Sequence, residues 1–253
     1  MSEMIVINEG SGFTADGGGF APGSAVAAQV MTDALVEPRR QHGGRPFRVW
    51  VDEDRRFRRL LGETQWHHLP AAVRARFSKP VPPNGLRLYR GQVVETQLSW
   101  FGAMLARLAR IVGGPLPDQD GAVGPASVLV TESDALGGQI WTRTYTRPGR
   151  FPQTINSVKR FSGPTGLEEH LGHGLVMRLA LTVEADCLVF QSAGYDLVVA
   201  GRRLRLPSWL TPGVCTITHR DLGEGRFAFV LKLAHPLLGQ LIHQTAVFEE
   251  VAS

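Results

Sequence analysis

Three histidines near the C-terminal end of the chain sit where strand alternation would turn them to one side. Over residues 226–234 the alternate positions Phe227, Phe229, Leu231 and Leu233 are apolar, and the next residue in phase is His235, just before Pro236. Over 213–221, Cys215 and Ile217 are in phase with His219; over 241–249, Leu241, Thr245 and Val247 are in phase with His243. Three inward histidines in one pocket would suit a general acid/base set or a metal site. The plainer reading of each is a hydrogen-bonded histidine of the core or rim. No acidic partner is visible beside them, so the expectation is acid/base work by at least one of His219, His235 and His243, with Tyr145. No metal site is assigned.

A second row alternates on one strand. Trp141, Arg143 and Tyr145 lie on the opposite phase from Ile140, Thr142, Thr144 and Thr146. An aromatic, Arg, aromatic row can grip a planar or anionic ligand by stacking and charge; an exposed strand held by cross-strand pairs is the alternative. With Trp100, Met104 and Phe229, Trp141 and Arg143 make up the expected ligand-binding residues. Glu168, Glu169, His170 and His173 fall between glycines and read as a loop bordering the pocket mouth. HExxH, GxSxG, SxxK and a Walker lysine are all absent, and the glycines at 10, 12, 17, 18, 19 and 23 do not form GxGxxG. No cofactor is therefore expected. Cys187 and Cys215 read as buried strand residues, with no CxxC.

The elements that must position these residues are mostly strands. After a Gly- and Pro-rich linker at 113–125 the period becomes two, with candidate strands at 127–132, 139–147, 153–161, 175–185, 187–192, 195–200, 203–206, 213–221, 226–234 and 241–249. Tight turns separate them, and no helices alternate with them, which disfavours a parallel sheet. The fold class is therefore α+β, mostly antiparallel β: a closed or half-closed β-barrel of calycin or START type, with N-terminal helices covering one opening. The helical region spans 52–112 and includes a strand at 86–98. Phe57, Leu60 and Leu61 mark a first helix ended by Gly62; a short helix follows Pro70; and residues 99–112 form the most amphipathic helix. Trp100, Met104, Leu108 and Ile111 form its stripe. A core helix packed on the sheet is the favoured reading, with a lid over a pocket or an interfacial membrane helix as the sharper ones.

Of 253 residues, 43% are hydrophobic and 20% charged, which excludes a disordered chain. No apolar run approaches the roughly 18 to 20 residues that span a bilayer. Twenty-four of the 27 basic residues are Arg, and they are unevenly placed: residues 1–38 carry five acids and no Lys or Arg, whereas 39–110 carry fifteen bases against five acids. No aromatic-and-basic interleaving accompanies this charge, so nucleic acid is not expected as a partner. Residues 1–46 read as a Gly-rich extension and 47–253 as one β-rich domain. No secretory signal is visible, which makes a cytoplasmic location the default.

The segments FRRLLGETQWHHLPAAVRARF, SWFGAMLARLARIVGGPLP, WTRTY, LRLPSWLTP and GRFAFVLKLAHPLLGQLIHQ together resemble a bacterial family known as domain of unknown function 4166, from about Phe57 to Phe248. His243 stands where the family usually has Tyr, and the extension has no counterpart. The resemblance carries no catalytic role. The expected function is a pocket protein for a hydrophobic, lipid- or polyketide-like small molecule. The alternatives are a cofactor-independent cyclase or isomerase using pocket His, Tyr and Arg, and a peripheral membrane module. A homodimer is compatible with the sequence, which leaves the oligomeric state open.

Overall fold

A segment that alternates apolar and polar residues has one face to bury, and turns place successive faces side by side. The computed structural model describes residues 53–251 apart from 83, 112–115, 118–121 and 148, so the expected extension at 1–46 lies outside the described residues. Eleven antiparallel strands form one sheet: β1 Leu86–Leu98, β2 Gly124–Ser133, β3 Gly138–Arg147, β4 Arg150–Arg160, β5 Glu168–Gly172, β6 Leu175–Glu184, β7 Cys187–Val199, β8 Arg202–Arg205, β9 Val214–Gly223, β10 Arg226–His235 and β11 Gly239–Glu250. The order runs β6-β5-β4-β3-β2-β1-β11-β10-β9-β7-β8, and β6 also pairs with β7. Ten strands thus close into a barrel. The long β7 makes the closure: Leu188–Gln191 pair with β9, while Asp196–Val199 pair with the short outer strand β8.

The α+β barrel expected from the sequence is therefore present and closed. Two strands expected at 187–192 and 195–200 are one, because the chain continues through Gly194 at φ 128° with a bulge opposite Arg178 and Leu179. A side chain at Gly194 would meet the Arg178 guanidinium at 2.1 Å. The segment expected as a loop at the pocket mouth is strand β5, paired on both sides with β4 and β6.

Helices close the two ends. Helix α1 (Arg56–His68), bent where Gly62 takes φ 76°, and α2 (Ala71–Ser78) pack one end. The Asp54 carboxylate accepts the Arg56 backbone N–H at 3.0 Å and starts α1. Phe57 meets Phe77 and Phe161 edge-on, each at 5.0 Å between ring centres, above Phe190 of β7. Helix α3 (Trp100–Ile111) lies at the other end, so the expected helical cap over 52–112 is divided between two openings. It is not the core helix that its stripe predicted: Gly102, Ala106 and Ala109 are buried, while Trp100, Phe101, Met104 and Leu108 are exposed.

Ser99 Oγ caps α3 by accepting the Gly102 N–H at 3.1 Å, and the Ser99 N–H reaches the Leu241 carbonyl at 3.0 Å. A Cβ at Gly102 would stand 2.0 Å from that same carbonyl oxygen. Helix propensity alone favours Gly102→Ala by up to about 1 kcal/mol. The seating of α3 reverses the sign, and Gly102→Ala is expected to lower the urea midpoint; a stabilised variant would contradict this seating.

Candidate functional site

Inward-facing residues of ten strands are too few to fill this barrel, and a cavity of about 600 Å³ is left inside it. That lies within the ~300–1,000 Å³ of small-molecule pockets. Its wall is apolar over most of its extent, with Val128, Ile155, Met177, Phe190, Phe229 and Leu231 among the contributors. Phe77 of α2 reaches it from one end, and Phe101, Met104, Leu105 and Leu108 of α3 border it at the other. Around that second end stand Trp209 and Leu210 of the 3₁₀ turn Ser208–Leu210, and Leu237 and Leu238 between β10 and β11.

Polar groups converge at one place on the wall, across β3, β4 and β5. Parity puts Trp141, Arg143 and Tyr145 of β3 inside, next to Ile155, Ser157 and Lys159 of β4. On β5, the adjacent glutamates turn to opposite faces. Glu169 points in and accepts from Lys159 Nζ at 2.7 Å, Ser157 Oγ at 2.6 Å and Arg143 at 3.1 Å. Arg143 also donates to Ser157 Oγ at 3.0 Å. The Lys159 ammonium lies 4.9 Å from the centre of the Trp141 indole and 5.8 Å from that of Phe190. Glu168 points out, where Arg203 binds both carboxylate oxygens and also reaches Asp196.

Burial opposes ionisation of Glu169 more than any other influence, yet the charges of Lys159 and Arg143 and the bonds from Lys159 and Ser157 together outweigh it. Its carboxyl is held down at about 2. The same burial lowers the Lys159 ammonium, with Glu169 opposing the shift. Burial raises the Tyr145 and Tyr195 hydroxyls and pushes the Cys215 thiol up to about 12. The acids of this wall other than Glu169 therefore keep their protons at neutral pH.

Of the expected ligand-binding residues, Trp141, Arg143, Met104 and Phe229 border the cavity. Trp100 does not: it is 72% exposed and meets only the ring of Phe101 among aromatic neighbours, because the buried face of α3 is its small-residue face. Of the expected acid/base residues, Tyr145 and His235 are on the wall, His235 at the mouth, where its Nδ1 accepts the Leu237 N–H at 3.2 Å. His219 is inward but fully buried below the cavity, stacked on Phe227 at 4.7 Å with Arg76 at 3.4 Å. It pairs with Phe229, six residues along β10 from His235, so the two histidines stand ~20 Å apart at ~3.3 Å per residue. His243 faces away from the cavity, 3.8 Å from Glu95. A bulge opposite Leu233 and Ala234 buries both Leu241 and Ile242, and leaves Gln244, Ala246 and Phe248 inward, opposite to the expected phase. The three histidines do not converge. Among the described residues no group of His, Cys, Asp and Glu is arranged to hold a metal ion.

Ser157 and Lys159 were not expected at the site, and Glu169, expected on a loop at the pocket mouth, stands on a strand of the inner wall. The signal was in β4, where Ile155, Ser157 and Lys159 share a phase with Gln153, and Lys159 is one of only three lysines. A family model described as Domain of unknown function (DUF4166) matches residues 69–248. No curated protein matches the chain.

Burial, reinforced by Arg76, lowers His219 to about 3. The folded protein thus holds a neutral imidazole that the unfolded chain protonates below its ordinary value near 6.5. Stability from this source is complete above pH 6.5 and declines as pH falls toward 3, with a slope of up to about 1.4 kcal/mol per pH unit. His219→Phe is expected to flatten urea-derived stability between pH 6.5 and 5 relative to wild type. Parallel curves for the two proteins would show that His219 is not held neutral.

Proposed function

The chain belongs to the DUF4166 family, and from the interior of its barrel we propose that it binds and carries a hydrophobic small molecule. The observation that carries this reading is the 600 Å³ cavity, apolar over most of its wall, with a cluster of charged groups on β3, β4 and β5. An apolar wall supplies affinity in proportion to the ligand area it removes from water, at ~25 cal/mol per Å², and the polar cluster supplies orientation.

The alternative of a cofactor-independent cyclase or isomerase would draw on Tyr145 and His235. Burial keeps the protons on Tyr145 and Cys215, His235 stands at the mouth, and Glu169 and Lys159 are engaged with each other rather than with the open space. Binding is therefore preferred over catalysis. A specific observation favours a further role for the mouth. Leu237 and Trp209 border the opening and are 87% and 76% exposed, and exposed apolar groups clustered around one opening are the mark of a docking surface. In this second reading the collar rests on a bilayer while the ligand passes. No helix among the described residues is long and apolar enough to cross a membrane.

Native mass spectrometry of freshly purified protein is expected to show a bound small molecule. Ala246, 5% exposed on the cavity wall, can be enlarged to close the space: Ala246→Trp is expected to lose that mass and the binding of an apolar fluorescent probe, while near-UV circular dichroism persists. Equal probe binding by the variant would contradict the cavity as the site. For the collar, the double variant Trp209→Ala and Leu237→Ser is expected to lose sedimentation with phospholipid vesicles; unchanged sedimentation would remove the second reading.

A further inference from the structure

We infer that the ligand of this barrel is an amphipathic anion, a single-chain carboxylate, whose acidic head is held by Arg143 and Lys159 on the inner wall while its chain extends toward α3. This rests on the reading of the cavity as a ligand site and names the chemistry the site selects.

The charge count of the wall carries the inference. Among the described residues lining the cavity, Arg143 and Lys159 are the cations and Glu169 the one carboxylate. Lys159 and Glu169 are 4% and 2% exposed and pair with each other, whereas the Arg143 side chain is 19% exposed and borders the cavity, so the surplus charge stands on the cation that reaches the open space. One positive charge is left over, facing an apolar space. A buried charge without its counterpart is costly, and a fold that retains one in a ligand cavity is completed by a ligand of opposite sign.

Donor geometry points the same way. A guanidinium carries five N–H groups. Arg143 gives one to Ser157 and one to Glu169, which leaves its planar fork able to take a carboxylate in two parallel bonds. Lys159 gives one of its three N–H groups to Glu169 and rests against the faces of Trp141 and Phe190, which favour a cation but accept no strong hydrogen bond. Tyr145, next inward on the same strand, keeps its proton and is a donor of the same kind. Glu169 and Ser157 hold both cations in position without exhausting them. Most of the remaining wall, including Phe229, Leu231, Met104 and Leu108, is apolar and suits a hydrocarbon chain.

Size class and charge are separable by comparing lauric acid, lauryl alcohol and laurylamine, which share one chain and differ in the head. Displacement of a bound fluorescent probe is expected to rank acid over alcohol over amine in the wild-type protein, with acid ahead of alcohol by about tenfold or more, the worth of a charge-assisted hydrogen bond. Arg143→Met is expected to abolish the acid preference and leave alcohol binding within about threefold. The double variant Lys159→Met with Glu169→Gln removes an ion pair together and leaves the surplus charge on Arg143; it is expected to retain an acid preference, and loss of that preference in a folded double variant would contradict the charge count. Equal binding of acid and alcohol by wild type would overturn the anionic head while leaving a hydrophobic pocket in place. Failure of all three amphiphiles to displace the probe from a folded protein would instead overturn the carrier reading itself.

Discussion

A carboxylate taken out of water must either keep its proton or be met by cations and hydrogen bonds, and Glu169 is met by three partners on two neighbouring strands. Lys159 and Ser157 reach it from β4 and Arg143 from β3, across register positions fixed by the ladder Glu169 to Lys159 and the pair Trp141 to Ser157. A slip of one residue in either pairing would turn the slipped strand's contribution to the outer face and break the cluster. Removing one partner of such a buried pair costs about 3–5 kcal/mol, so the cluster acts as a register lock as well as the polar feature of the cavity. On the outer face, Glu168 with Arg203 and Asp196 with Arg178 and Arg203 tie β5, β6, β7 and β8 in the same region. The β6–β7 pairing that closes the sheet is thus crossed by the Arg178–Asp196 ion pair.

The two ends of the barrel are built differently. At the end under α1 and α2, aromatic rings pack edge to face around Phe57, Phe77 and Phe227, with His219 enclosed among them. That end is a plug. At the other, α3 is seated through Gly102, Ala106, Ala109 and the half-buried Leu105, while Trp100, Phe101, Met104 and Leu108 are exposed. In the proposed carrier role a ligand would pass at this end, where the seat of α3 is made mostly of small residues, rather than through the aromatic plug.

The barrel was legible because its strands alternate cleanly and their turns carry glycine, as at Ala135-Leu-Gly-Gly and Asp221-Leu-Gly-Glu-Gly. The row Trp141, Arg143 and Tyr145 was legible for the same reason. Strand β5 was not, because its five residues lie between glycines and carry charge on both faces, a pattern that only the surrounding ions make sense of. His243 was misplaced because both phases of β11 contain apolar residues, and a bulge, invisible in one sequence, decides between them. The stripe of α3 was read correctly as apolar and placed wrongly, since hydrophobicity identifies a face but not whether protein, ligand or another surface covers it.

The account stands on a ligand held with its acidic end at Arg143 and its chain toward α3. Crystals grown with a terminally brominated long-chain carboxylic acid would locate both ends at once by anomalous scattering and electron density. The bromine is expected beside Met104 and Leu108, with the carboxylate against Arg143 and Lys159. Bromine beside Trp141 with the carboxylate at the mouth, or an acid bound only outside the barrel, would contradict it.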